Sequence, residues 1–160
     1  MKHRIDIVEA KPADAAAIAE IHLTARRDAM PYLHLAHSDD STRAWFAKVV
    51  SDRPLCWWVA RCEGQILSYM RVVGDELDHL YVLPNWQRRS VGLALLNRAK
   101  LQSPARLALW TFQRNTNARA FYEAQGFRIA GYTDGENEEH EPDVRYVWEA
   151  ARSDPGRAIL

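Results

Sequence analysis

The stretch Leu80-Tyr81-Val82-Leu83-Pro84-Asn85-Trp86-Gln87-Arg88-Arg89-Ser90-Val91-Gly92-Leu93-Ala94 has residue types and spacing suited to holding an anion. An apolar run that reads as a strand stops at Pro84. A short loop follows with Arg88 and Arg89 beside the small residues Ser90 and Gly92, and a helix begins near Val91. Such a turn gathers free backbone N–H groups and the positive end of a helix dipole around a concave loop, an arrangement that binds phosphate. Gly92 has no side chain to hold an anion off the backbone, and the two guanidinium groups can add charge-assisted bonds. The pattern is neither the GxxxxGK phosphate loop nor the GxGxxG fingerprint. Taken alone, it reads better as an ordinary strand-to-helix turn with solvated arginines.

It does not stand alone. Gln87-x-x-Ser90-x-Gly92 resembles the Gln/Arg-x-x-Gly-x-Gly/Ala signature of the GNAT superfamily of acetyl-CoA-dependent N-acyltransferases, with Ser90 standing where the first glycine usually is. Downstream, Asn115-x-x-Ala118-x-x-Phe121-Tyr122-Glu123-x-x-Gly126-Phe127 is similar to the second signature of that family, including the seven-residue step from Asn115 to Tyr122. The resemblance implies an α/β fold with a mixed, mainly antiparallel sheet of about seven strands flanked by about four helices. It also implies acetyl-CoA as co-substrate and no metal. Backbone groups of Leu80, Tyr81 and Val82 would meet the pantetheine arm as an added strand would. Gln87, Arg88, Arg89, Ser90, Val91, Gly92 and Leu93 would hold the pyrophosphate, Asn115 would contact the pantetheine, and Tyr122 would serve as general acid near the sulfur. A serine hydroxyl at position 90 can itself donate to an oxyanion, so the departure bears on how tightly phosphate approaches and not on where it sits.

Direct aminolysis of a thioester needs a neutral amine held against the carbonyl, an exit for the ammonium proton, and donors for the developing oxyanion and departing thiolate. No covalent nucleophile is required, in keeping with the lack of a nucleophile elbow or an evident Cys/His pair. Glu76 is the first candidate for a base acting through water: it opens the strand leading to the loop and lies eleven residues before Gln87, a spacing similar to that of the base in some family members. A plain charged residue at a strand end is nearly as good a reading. Asp78 shares its face by alternation, and His79 points the other way unless a bulge intervenes. Trp45, Trp57, Trp58, Trp110 and Trp148 read as core or half-buried sheet residues, with Trp45 and Met30-Pro31-Tyr32 placed where the family often walls its acceptor pocket.

The elements that must position these groups follow from periodicity and breakers. Arg4 to Val8 alternates as a strand, and Lys11-Pro12-Ala13-Asp14 opens an Ala-rich helix to about Arg26, interrupted by Met30-Pro31-Tyr32. Asp39, Asp40 and Ser41 offer caps for a short helix carrying Trp45, Phe46, Val49 and Val50. Leu55 to Arg61, Gln65 to Val73 and Glu76 to Leu83 form a meander turned at Glu63-Gly64 and Gly74-Asp75. A helix over Val91 to Leu101, a strand over Arg106 to Phe112, a helix over Asn117 to Gln125 closed by Gly126, and strands over Phe127 to Thr133 and Val144 to Glu149 complete the order β-α-α-β-β-β-α-β-α-β-β.

The 160 residues suit one domain over 1–150, with a tail at 151–160. Twenty-one Lys and Arg balance 21 Asp and Glu, removing the basic excess of most nucleic-acid and anionic-membrane binders. The balance is global and not local: residues 85–128 hold eight Lys or Arg against Glu123 alone, and residues 134–143 hold six acids. The basic half suits a polyphosphate, and the acidic loop either faces an amine acceptor or is a solvated hairpin. Cys56 and Cys62 lack metal or redox spacing, and neither a signal peptide nor a bilayer-length apolar run is evident, so a reducing cytoplasm is the expected compartment. The expected partner is a small-molecule or peptide amine, with no nucleic acid and no membrane; a homodimer is left open. The leading reading is an enzyme moving acetyl from acetyl-CoA to a primary amine; the rival is a CoA or acyl-CoA sensor without turnover, since fold does not determine function.

Overall fold

A computed structural model describes residues 3–152, so the expected tail lies outside the described residues from position 153 on. Seven strands form one sheet: β1 (Asp6–Glu9), β2 (Trp57–Cys62), β3 (Gln65–Val73), β4 (Glu76–Val82), β5 (Arg106–Phe112), β6 (Arg128–Tyr132) and β7 (Asp143–Glu149). Four helices cover it: α1 (Ala15–Ala29), α2 (Asp39–Asp52), α3 (Val91–Gln102) and α4 (Thr116–Ala124). The strand order is β1-β2-β3-β4-β5-β7-β6, antiparallel throughout except where β4 meets β5. The mixed α/β architecture matches the expected one in number and order of elements.

Boundaries differ at a few points for local reasons. Pro12 to Asp14 forms a separate 3-10 turn, in which the Asp14 carboxylate accepts from Lys11 N at 2.8 Å, and α1 then runs three residues past Arg26 to the Met30-Pro31 break. The cap of α2 is Ser38 and not one of the three residues expected: its hydroxyl accepts from Ser41 N at 3.1 Å, which places Asp39 and Asp40 in the first turn, where acids suit the helix dipole. Leu55 and Cys56 belong to a 3-10 turn opened by Pro54, so β2 starts at Trp57.

Two apolar layers hold the sheet. On one face α1 and α2 bury Ile18, Ile21, Phe46 and Val50 against Trp57, Val59 and Tyr69. On the other, α3 and α4 bury Val91, Leu95, Leu96 and Tyr122 against Leu67, Met70, Leu77, Leu107, Leu109 and Tyr146. The apolar positions 91, 95 and 99 of α3 repeat every four residues, so the helix lays one stripe on the sheet and leaves its N-terminus at the sheet's open end.

Candidate active site

A single ladder contact joins β4 to β5, Glu76 opposite Ala108, with Ala108 N donating to Asp75 O at 2.8 Å. Beyond that point the two strands separate, and a cleft of about 460 Å³ opens between them, lined by Met30, Asp78, Leu80, Tyr81, Trp110, Asn115 and Tyr122 among others. Parallel strands joined at one end and parted at the other leave backbone donors and acceptors facing the gap, which an extended ligand can pair with as a strand would.

The cleft runs toward the loop between β4 and α3, the segment expected to hold an anion. After a 3-10 turn at Pro84–Trp86 the chain passes through Arg88 (φ +59°) and Ser90 (φ +64°), both left-handed, and enters α3 at Val91. Left-handed residues alternating with others turn successive N–H groups toward one concavity, a nest for an anion. Two side chains with Cβ in this conformation carry strain of about 1–2 kcal/mol each. Ser90 is the N-cap of α3, yet its hydroxyl makes no capping bond, so the first-turn amides of the helix stay open. A Cβ on Gly92 would stand 3.4 Å from Val82 Cγ2 and 3.8 Å from Phe121 Cζ, both ordinary contacts, so packing alone does not demand glycine there. Gln87 donates from Nε2 to Val82 O at 3.2 Å and pins the end of β4 to the loop, while the Arg89 guanidinium lies 5.1 Å over Trp86. Loop, helix terminus and cleft together fit a long molecule with a charged phosphate end and an extended polar arm.

Tyr122 is buried and lines the cleft, and its hydroxyl has no hydrogen-bond partner among the described residues. Burial, with Tyr81 nearby, pushes its phenol well above the ordinary tyrosine range, so it stays protonated at neutral pH and can donate. Asn115 caps α4, accepting from Ala118 N at 3.3 Å, and its amide nitrogen reaches Met30 Sδ at 3.6 Å, so it stands at the cleft with its side chain already engaged.

Glu76 occupies a different setting. Both of its carboxylate oxygens are held by Arg145 of β7, one at 2.8 Å, and that guanidinium also lies 5.2 Å over Trp110. Leu77 and Asp78 line the cleft; Glu76 does not. A bulge does intervene in β4: Val72 pairs with Leu77 and Arg71 with His79, leaving Asp78 as the extra residue. His79 therefore faces α1 and α2, packed among Trp45, Phe46 and Trp57.

Sequence reasoning missed His22, Arg26 and Tyr69. His22 Nδ1 lies 2.8 Å from the Tyr69 hydroxyl, which lies 3.0 Å from His79 Nδ1. Arg26 pairs with Glu139 at 3.0 Å, tying α1 to the β6–β7 loop. His22 lies four residues after Ile18 and next to Ile21 on the buried stripe of α1, the one signal that could have singled it out. Other acids of the β6–β7 loop also have partners: Glu141 pairs with Arg114 at 3.4 Å, Glu138 lies 2.9 Å from His37 Nε2, and Asp143 accepts from Asn137 at 3.1 Å.

Residues 53–129 match the family described as acetyltransferase (GNAT) domain. A probable N-acetyltransferase of Mycobacterium tuberculosis is 31% identical over 145 residues, covering 81% of this chain and 83% of that protein. The peptidyl-lysine N-acetyltransferase YiaC of Escherichia coli is 36% identical over 73 residues, 45% of this chain and 49% of its own length. Among solved structures, apo-form YjaB from Escherichia coli superposes with a TM-score of 0.78 at 21% identity, covering 92% of this chain and 99% of the other. The chain belongs to the GNAT superfamily and is an N-acetyltransferase.

Proposed function

We propose that the protein transfers acetyl from acetyl-CoA to a primary amine by direct attack within one ternary complex. The observation that carries this reading is the continuity of three features: the nest at Arg88 to Ser90, the parted edges of β4 and β5, and the buried, protonated Tyr122 between them. A relative in fold, the PaiA N-acetyltransferase from Thermoplasma acidophilum, was solved in complex with coenzyme A. The loop residues Gln87 to Leu93 hold the pyrophosphate on backbone amides, and the free edge at Leu80, Tyr81 and Val82 takes the pantetheine. Acetyl-CoA supplies an activated acyl carbon; the chain holds the amine against it, excludes water from the cleft and returns a proton to sulfur from the Tyr122 hydroxyl.

The acceptor we favour is a cationic primary amine, in the first place a lysine side chain of a peptide. YiaC and the YjaB of Salmonella typhimurium are peptidyl-lysine N-acetyltransferases by name. Asp134 and Glu136 remain outside the ion pairs of the acidic loop and can draw such an amine in. Release of thiol from acetyl-CoA that depends on an added lysine peptide, with the peptide gaining the mass of one acetyl group, tests the reading. Binding of CoA without amine-dependent release from a broad amine panel would replace it with a sensor.

A further inference from the structure

Between the sheet and α1 a row of polar side chains runs from the exposed Asp78 through His79 and the buried Tyr69 to His22 and links two openings of the surface. At one end Asp78 lines the cleft, and its Oδ2 lies 3.5 Å from His79 Nε2. His79 Nδ1 is 3.0 Å from the Tyr69 hydroxyl, and that hydroxyl is 2.8 Å from His22 Nδ1. At the other end His22 lines a second pocket, shared with Arg26, His34, His37 and Glu139. The rings of His22 and His79 stack at 5.5 Å, and Trp45 stacks on His79 at 6.0 Å, so neither imidazole is free to turn away.

A buried tyrosine needs one hydrogen-bond partner, and Tyr69, fully buried, has two ring nitrogens facing one hydroxyl. The hydroxyl carries a single proton, so it donates to one Nδ1 and accepts from the other. The two rings therefore hold opposite tautomers, and the whole chain can invert by moving each proton one step. Around it stand Arg26 from α1, Arg71 from β3 and Tyr81 from β4. Burial keeps both rings neutral, reinforced at His22 by His79 and Arg26 and at His79 by Arg71 and Arg26, with His22 pushed down to about 2 and His79 to about 3. Arg71 holds Asp78 through Oδ2 at 2.7 Å, leaving Oδ1 without a partner among the described residues. Glu76, the base expected from its spacing, has both oxygens on Arg145.

We propose that Asp78, His79, Tyr69 and His22 form a relay that carries the proton lost by the attacking amine out of the cleft to water in the second pocket. The inference rests on the acetyl-transfer reading. The acceptor first gives its ammonium proton to water at the mouth of the cleft; as the neutral amine nitrogen bonds to the acetyl carbon, one N–H bond breaks and that proton passes by the Asp78 carboxylate to His79 Nε2. The proton on His79 Nδ1 moves to the Tyr69 oxygen, the Tyr69 hydroxyl proton moves to His22 Nδ1, and the proton on His22 Nε2 leaves to water. Each ring gains one proton and loses one, and nothing is oxidised or reduced. Tyr122, having given its proton to sulfur, is restored by a proton running inward along the same chain, which also resets the tautomers. In this scheme His79, Tyr69 and His22 act through Asp78 and are positioning residues.

The test is steady-state acetylation of a lysine peptide by the full chain and by Tyr69→Phe, His79→Gln and the double variant, from pH 5.5 to 9. Tyr69→Phe keeps the ring and removes the linking hydroxyl. Its kcat should fall about 10- to 100-fold, with the KM for acetyl-CoA little changed, in line with the loss of one proton-transfer group. A wire already cut cannot be cut again, so the double variant should turn over no more slowly than the worse single variant while the losses in Tm add. Full kcat and an unchanged pH profile in Tyr69→Phe, or kcat losses that multiply in the double variant, would overturn the relay while leaving acetyl transfer standing. Failure of the unaltered protein to release thiol with any amine would instead overturn the acetyl-transfer reading and the relay with it. Imidazole nitrogen NMR of the unaltered protein gives a check that needs no variant: both rings neutral at pH 6, one with Nδ1 protonated and the other not, is the expected result. A charged ring, or the same tautomer at both Nδ1 positions, would overturn the relay.

Discussion

Arg145 and Glu76 are joined by two hydrogen bonds that reach across β5, from the third residue of β7 to the first residue of β4. The pair sits at the closed end of the cleft, where β4 and β5 make their one ladder contact, and ties three strands together at the point from which the gap opens. The bond to Glu76 raises the affinity of Arg145 for its proton, as expected for a guanidinium facing a carboxylate.

Glu76→Gln should therefore act on stability. The pair is partly open to solvent, so the loss is about 1 kcal/mol, a fall in Tm of roughly 2–4 °C for a chain of this size. Thermal unfolding and kcat measured on the same preparation check it. A kcat reduced a hundredfold with unchanged Tm would instead assign Glu76 the role of base.

Position 90 offers a gain. Ser90 sits at φ +64° and makes no capping bond, so Ser90→Gly relieves left-handed strain without losing a cap. A net stabilisation of about 0.5–1 kcal/mol should result, and acetyl-CoA affinity should hold or rise. Gly92→Asp should abolish binding, because its carboxylate would share the first turn of α3 with the pyrophosphate. Calorimetric titration of both variants decides; unchanged affinity in Gly92→Asp would remove this loop from the site.

Tyr122→Phe removes a proton donor and leaves the packing ring in place. Turnover should drop by roughly one to three decades, with acetyl-CoA affinity nearly intact. Full activity would mean that water protonates the departing thiolate.

Acid should unfold the protein from an unusually high pH. His22 and His79 titrate at their ordinary value of 6.5 when unfolded, and at about 2 and about 3 when folded. Below pH 6.5 the unfolded chain binds protons that the folded chain refuses, so stability is complete above that pH and is lost as pH falls toward the folded values. Each ring contributes a slope of up to about 1.4 kcal/mol per pH unit. Chemical denaturation at pH 7, 6 and 5 measures the slope, and His79→Gln should roughly halve it. A flat profile between pH 7 and 5 would show that both rings take protons in the folded state.

The order of strands and helices, the anion-binding loop and the Asn115-to-Tyr122 segment were all legible in the chain, because each is a local pattern. Alternation, i to i+4 stripes, Pro and Gly breakers and short motifs depend on neighbours within a dozen residues, and local sterics decide them. The pairing of Glu76 with Arg145 was not legible, because the two lie 69 residues apart and meet only after β5 and β7 have paired. The contacts of the acidic loop with Arg26, His37 and Arg114 arise the same way, between residues 27 to 113 positions apart. The face of His79 hung on a single bulged residue: alternation sends it away from α1, and Asp78 slipping out of register turns it back, since one residue of slip reverses every later side chain. Sequence patterns thus determined which elements form and where the turn into α3 falls. Which ionisable groups meet, and which are spent on one another, was decided by packing, because pairing energies belong to distances that only the folded sheet brings about.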